Sequence, residues 1–105
     1  MGARHEESMF IPVDPNEVGQ RAIAVINSLP GVDGVHTQPG VLSATANVNW
    51  RSWGEKITVR ISEAQGGTNV SIRSACAFPL QLLDWGKNKS NVAHIRSGLE
   101  PPAQS

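Results

Sequence analysis

Two short segments hold most of the side chains that could do chemistry in this 105-residue chain. They are Trp50-Arg51-Ser52-Trp53-Gly54-Glu55 and Asp84-Trp85-Gly86-Lys87-Asn88-Lys89-Ser90-Asn91, and together they contain all three tryptophans. Glu55 and Asp84 are the acids that could act as a general acid and base, provided that solvent and substrate reach both. Projected at ~100° per residue of α-helix, Asp84, Asn88 and Asn91 fall in the same stripe as Leu80, Ile95 and Leu99. Three polar side chains are therefore predicted to face the body of the domain. Each costs about 1 to 3 kcal/mol if buried without a partner, so each needs a hydrogen bond. The expected partners are backbone groups of the turn at residues 51–55, the Ser52 hydroxyl and a tryptophan indole N–H.

Such a cluster admits two roles. It can lock a helix onto a hairpin, with Gly86 allowing close approach and the tryptophans supplying buried area. It can instead line a cleft for a small polar ligand, with Asp84, Lys87, Asn88, Asn91 and Glu55 as the polar groups and Trp53 or Trp85 as a wall. Ala44 and Ala46 suit either arrangement, because small inward residues admit a helix closely or leave a pocket.

Other chemistries have weaker support. Cys76, His94 and Asp84 include the residue types of a nucleophile, base and orienting acid. Cys76 however stands among Ala75, Ala77 and Phe78, where free cysteine behaves as a small hydrophobe. As the only cysteine it excludes an intramolecular disulfide and any multi-cysteine metal site. His5, His36 and His94 lack the close spacing of metal ligands. Gly66-Gly67 and Pro39-Gly40 read as turns, since neither opens a helix with the Lys and Ser or Thr of a phosphate-binding loop. No cofactor is expected.

The elements that must position these residues are legible from periodicity. Met9, Ile11 and Val13 alternate with Phe10 and Pro12, predicting a short first strand at an edge or ending at the proline. Asp14-Pro15-Asn16-Glu17 starts a helix: Asp14 caps, Pro15 suits the first turn, and Glu17 stands where a capping-box acid belongs. Val18, Ala22, Val25, Ile26 and Leu29 recur at helical spacing until Pro30-Gly31. A short strand is expected over residues 31–37, then a turn at Gln38-Pro39-Gly40. Leu42, Ala44, Ala46, Val48 and Trp50 then alternate with polar residues, as in a sheet wet on one side. The inward phase moves to odd numbers at Ile57, Val59 and Ile61, so a turn or bulge near Gly54 is required. Gln65-Gly66-Gly67 makes the next hairpin, after which Thr68, Val70 and Ile72 face in. Pro79 can open a second helix running to about Leu99. The order β-α-β-β-β-β-α predicts an α+β fold: an antiparallel sheet of about five strands with two helices on one face. Residues 8–99 form its single domain, and residues 1–7 and 100–105 are expected as disordered tails.

Two motifs carry a resemblance. The pattern S-W-G-E-x-I-x-V at residues 52–59 and S-x-x-x-x-x-x-Q-x-x-D-W-G-K-N-x-x-N-V at residues 74–92 resemble a family of small uncharacterised bacterial α+β domains. The likeness extends over most of the core from the first helix onward. It implies a domain boundary and no particular reaction.

The charges sum to zero, so nothing draws the whole chain to nucleic acid or an anionic membrane. No apolar run approaches the ~20 residues that cross a bilayer, and Glu6 and Glu7 stand where a signal peptide would be apolar. A cytoplasmic location is the expectation. The sheet face away from the helices should present Arg51, Lys56, Arg60 and Arg73 among Asn, Ser and Thr, a mildly basic surface that is either an ordinary solvated face or a docking surface for a protein partner or self-association. Unless Trp53 is exposed, that face has no stacking aromatic, which argues against nucleic acid. Taken together, these features predict a non-enzymatic binding or interaction module for a small polar ligand or a protein partner. The alternative is a small enzyme using Asp84 and Glu55 as acid and base in a cleft.

Overall fold

The computed structural model describes residues 4–29, 31–32, 34–46, 54–76 and 87–99. They form β1 (Arg4–Ile11), α1 (Pro15–Asn27), β2 (His36–Gln38), β3 (Val41–Ala46), β4 (Glu55–Ala64), β5 (Gly67–Cys76) and α2 (Lys87–Leu99). The strands make one antiparallel sheet in the order β1-β5-β4-β3-β2. The expected α+β fold and its element order are therefore present.

Strand order follows from what α1 does. β1 lies at one edge, α1 carries the chain over the sheet to the opposite edge, and β2 to β5 return as a meander that ends beside β1. Asp14 sets the start of α1, its carboxylate accepting from the amides of Asn16 (3.1 Å) and Glu17 (3.3 Å). Val18, Ala22 and Ile26 form the buried stripe of that helix. They meet Leu42, Ala44, Ile57, Val59, Val70 and Ile72 from the sheet and Val92, Ile95 and Leu99 from α2. Burying each such aliphatic side chain contributes about 1.5 to 3 kcal/mol.

The shift of inward phase needs no bulge. Ala46 pairs with Glu55 and Ala44 with Ile57, so even residues of β3 oppose odd residues of β4 on the same face. A connection with an even number of residues makes that parity unavoidable in an antiparallel pair. Gly54, at φ 83°, delivers the chain into β4. At the β4–β5 turn Ala64 pairs with Gly67, leaving Gln65 and Gly66 as a two-residue turn with Gly66 at φ 80°. Gly67 is required for another reason: a Cβ there would lie 2.2 Å from the carbonyl oxygen of Ile11.

Two expectations are corrected. Residues 4–7 are not a tail, since β1 begins at Arg4 and pairs with β5 from Arg4 opposite Ala75 to Ile11 opposite Thr68. A polar sequence is ordered there because the neighbouring strand accepts its backbone hydrogen bonds. The strand expected over residues 31–37 is the shorter β2, starting at His36. The inward run beyond Ala46 to Trp50, the helix start at Pro79 and the tail at residues 100–105 lie outside the described residues.

Candidate functional site

One end of the inner sheet face carries polar side chains in place of the aliphatic rows. Ser74 continues the inward phase of β5 after Thr68, Val70 and Ile72, and it sits opposite Ile57 on β4 and His5 on β1. Glu55, two residues before Ile57, opens the inward phase of β4. Above them lie Asn88 and Asn91, three apart on the first turns of α2 and therefore on one side of it. Glu55, Ser74 and Asn88 are fully buried and Asn91 is 5% exposed.

The hydrogen bonds have a single consistent direction. The Ser74 hydroxyl donates to Oδ1 of Asn88 at 2.8 Å. Its one proton being used there, its oxygen accepts from Nδ2 of Asn91 at 3.1 Å. The other Nδ2 hydrogen of Asn91 goes to Oε1 of Glu55 at 3.2 Å. The result joins α2 to β4 and β5 by a buried relay in which the carboxylate is the terminal acceptor. Such networks add directional specificity to a helix–sheet contact that apolar packing alone leaves free to slide.

Asn88 and Asn91 thus face the sheet, as the helical projection predicts, and Glu55 joins them. Ser74 was missed as a partner, although the even-numbered inward phase of β5 reaches it. Ser52, Trp53, Asp84 and Trp85 lie outside the described residues, and Lys87 is described only as the first residue of α2. Ala44 and Ala46 are buried among the core residues. Glu55 is fully buried, and Asp84, the other acid of the expected pair, lies outside the described residues.

A second polar contact ties β1 to α2. Glu7 accepts from Nε2 of His5 at 2.8 Å and from Nη1 of Arg96 at 2.5 Å. The hydrogen bond from His5 and then that from Arg96 hold the Glu7 carboxyl below its ordinary value. His94 is engaged elsewhere, 3.0 Å from the hydroxyl of Ser28 at the end of α1. That hydroxyl donates to the carbonyl of Val25 (2.6 Å), so Nε2 of His94 is the donor to Ser28. His36 is exposed on β2. The three histidines thus occupy separate environments.

On the opposite sheet face Lys56, Arg60 and Arg73 are exposed, as expected, while Arg51 lies outside the described residues. Arg4 joins them through its place in β1. Phe10, 50% exposed, also stands on this face, contrary to the expectation that the described strands would present no aromatic there.

No family model and no curated protein matches the chain. Among solved structures, an uncharacterised protein from Rhizobium leguminosarum is similar, with 13% identity and a TM-score of 0.51 over 95% of this chain and 93% of that one. Ara h 8.0201 is similar with 11% identity and a TM-score of 0.46, over 94% of this chain and 98% of that one. The likeness to the Rhizobium protein is one of fold. Among the described residues, no helix is long and apolar enough to cross a membrane.

Proposed function

We propose that this domain is a non-enzymatic interaction module that docks an acidic protein segment on the outer face of its sheet. The observation that carries this is charge segregation. The chain is neutral as a whole, yet Arg4, Lys56, Arg60 and Arg73 project from one face on which Glu6 is the single carboxylate among the described residues. The described ion pairs are His5–Glu7, Arg21–Glu17 and Arg96–Glu7, so none of those four cations is neutralised among the described residues. Unpaired cations on a flat, wet surface attract a complementary acidic partner and speed its encounter. A protein segment fits better than single-stranded nucleic acid, because Phe10 at the β1 edge is the only exposed aromatic among the described residues of this face and a base-stacking platform needs several. The burial of Glu55 favours binding over acid/base catalysis.

The test is fluorescence anisotropy of a labelled glutamate-rich peptide against the full chain and its Arg60→Glu/Arg73→Glu variant, with oligodeoxythymidine as a competitor. Both positions are exposed, so the fold should survive. Binding that weakens at least about tenfold in the variant, or about 1.4 kcal/mol, and falls with added salt supports docking on this face. Equal binding by both proteins, or preference for the oligonucleotide, overturns it.

A further inference from the structure

Between the first turns of α1 and the β2–β3 hairpin lies a cleft of about 580 Å³. This is within the range of small-molecule sites, about 300 to 1,000 Å³. Its lining is apolar at Ile23 and Ile61 and polar at Asn16, Gln20 and Thr37, and Thr37 shares the inner face of the sheet with its partner Leu42. None of the described residues lining it is charged.

A glycine lines the cleft on the α1 side. Gly19 lies in the interior of α1, where glycine costs about 1 kcal/mol relative to alanine. Packing does not demand it: a Cβ at Gly19 would meet its nearest neighbour, Cδ1 of Ile61, at an ordinary 3.9 Å. Gly98 differs, because a Cβ there would lie 2.4 Å from Cγ2 of Val25. Position 19 therefore has room for a side chain, and because Gly19 lines the cleft a larger residue there would occupy it. We propose that this cleft binds a small neutral amphipathic molecule with an amide or hydroxyl head group. The apolar lining takes its body, and the side-chain amides of Asn16 and Gln20 with the Thr37 hydroxyl offer both donors and acceptors to its head. An anion is disfavoured because none of the described lining residues is a cation. The amides at the start of α1 are also occupied, since the Asp14 carboxylate accepts from Asn16 and Glu17.

The test is a ¹H–¹⁵N NMR titration of the full chain with N-butylacetamide, and with hexanoate as a probe of similar apolar length and negative charge. Saturable shifts at the amides of Gly19, Gln20, Thr37 and Gln38 are expected with N-butylacetamide, with hexanoate binding at least about tenfold more weakly. Gly19→Leu, which fills the cleft, should abolish the shifts, and Gly19→Ala should weaken them while keeping the native spectrum. Absence of saturable shifts, an equal response to hexanoate, or undiminished binding in a natively folded Gly19→Leu overturns the proposal. Should the leucine variant lose its native spectrum, Asn16→Ala/Gln20→Ala decides: both positions are exposed, and unchanged affinity there overturns it equally.

Discussion

Nδ2 of Asn91 on α2 lies 3.2 Å from Oε1 of Glu55 at the start of β4, and both residues are buried. A carboxylate in this position keeps its place only while donors face it. Asn91→Ala is accordingly expected to lower stability by about 2 to 3 kcal/mol, seen as a fall of roughly 10 to 20 °C in the melting temperature of a domain this size. Asn91→Asp should be worse, since it sets a second carboxylate against Glu55. A melting temperature within a degree or two of the parent in both variants would show that the relay does not hold α2. Because Ser74 shares Asn91, the Ser74→Ala/Asn91→Ala double variant should lose less than the sum of its singles.

Gly98 and Val25 set the approach of the two helices. A methyl group at position 98 would need Cγ2 of Val25 to retreat from 2.4 Å. Gly98→Ala should destabilise the domain by about 1 to 3 kcal/mol through overpacking. Adding Val25→Ala should recover part of that loss, which chemical denaturation of the singles and the double would measure. An undiminished Gly98→Ala would place the helices further apart than described.

The start of α1 rests on Asp14. Replacing it by alanine removes the acceptor for two backbone amides and should cost about 1 kcal/mol. Asp14→Asn should restore most of it, since asparagine caps comparably. Urea midpoints of the three proteins check this, and equal midpoints for Asp14→Ala and the parent would contradict it.

Glu7 gives a pH signature. Its carboxyl is held below its ordinary value of about 4.5 by His5 and then Arg96. A depressed folded value means the contribution is present above pH 4.5 and is lost as pH falls through the folded value. The melting temperature of the parent should therefore exceed that of Glu7→Gln near neutrality. The gap should close as pH drops below 4.5. A gap independent of pH would show that the Glu7 charge contributes nothing.

Much of this architecture is written in local sequence. The capping run at Asp14, the alternation of Leu42, Ala44 and Ala46 and the glycines of the turns specify elements because their causes act within a few residues. The same locality made Asn88 and Asn91 legible as sheet-facing, since a period of ~100° needs no knowledge of the neighbour. Which groups would meet them was a different matter. Ser74 is 14 residues from Asn88, and Glu55 is 36 from Asn91. Only the register of β4 on β5 places those two side chains together under α2. Phe10 was read correctly as alternating with inward residues, yet its exposed place on the basic face depends on β1 pairing beside β5.

The sequence by itself determined the order of helices and strands and which residues of α1, β3, β4 and β5 turn inward, because backbone sterics, capping and hydrophobic periodicity are properties of neighbouring residues. The tertiary structure alone decided that residues 4–7 extend β1, that Glu7 bridges to Arg96 across 89 positions, and that a Cβ at Gly19 would make only an ordinary contact with Ile61 while one at Gly98 would be pressed against Val25. Those outcomes depend on which surfaces meet, and the free energy that selects them comes from pairing and packing between segments far apart in the chain.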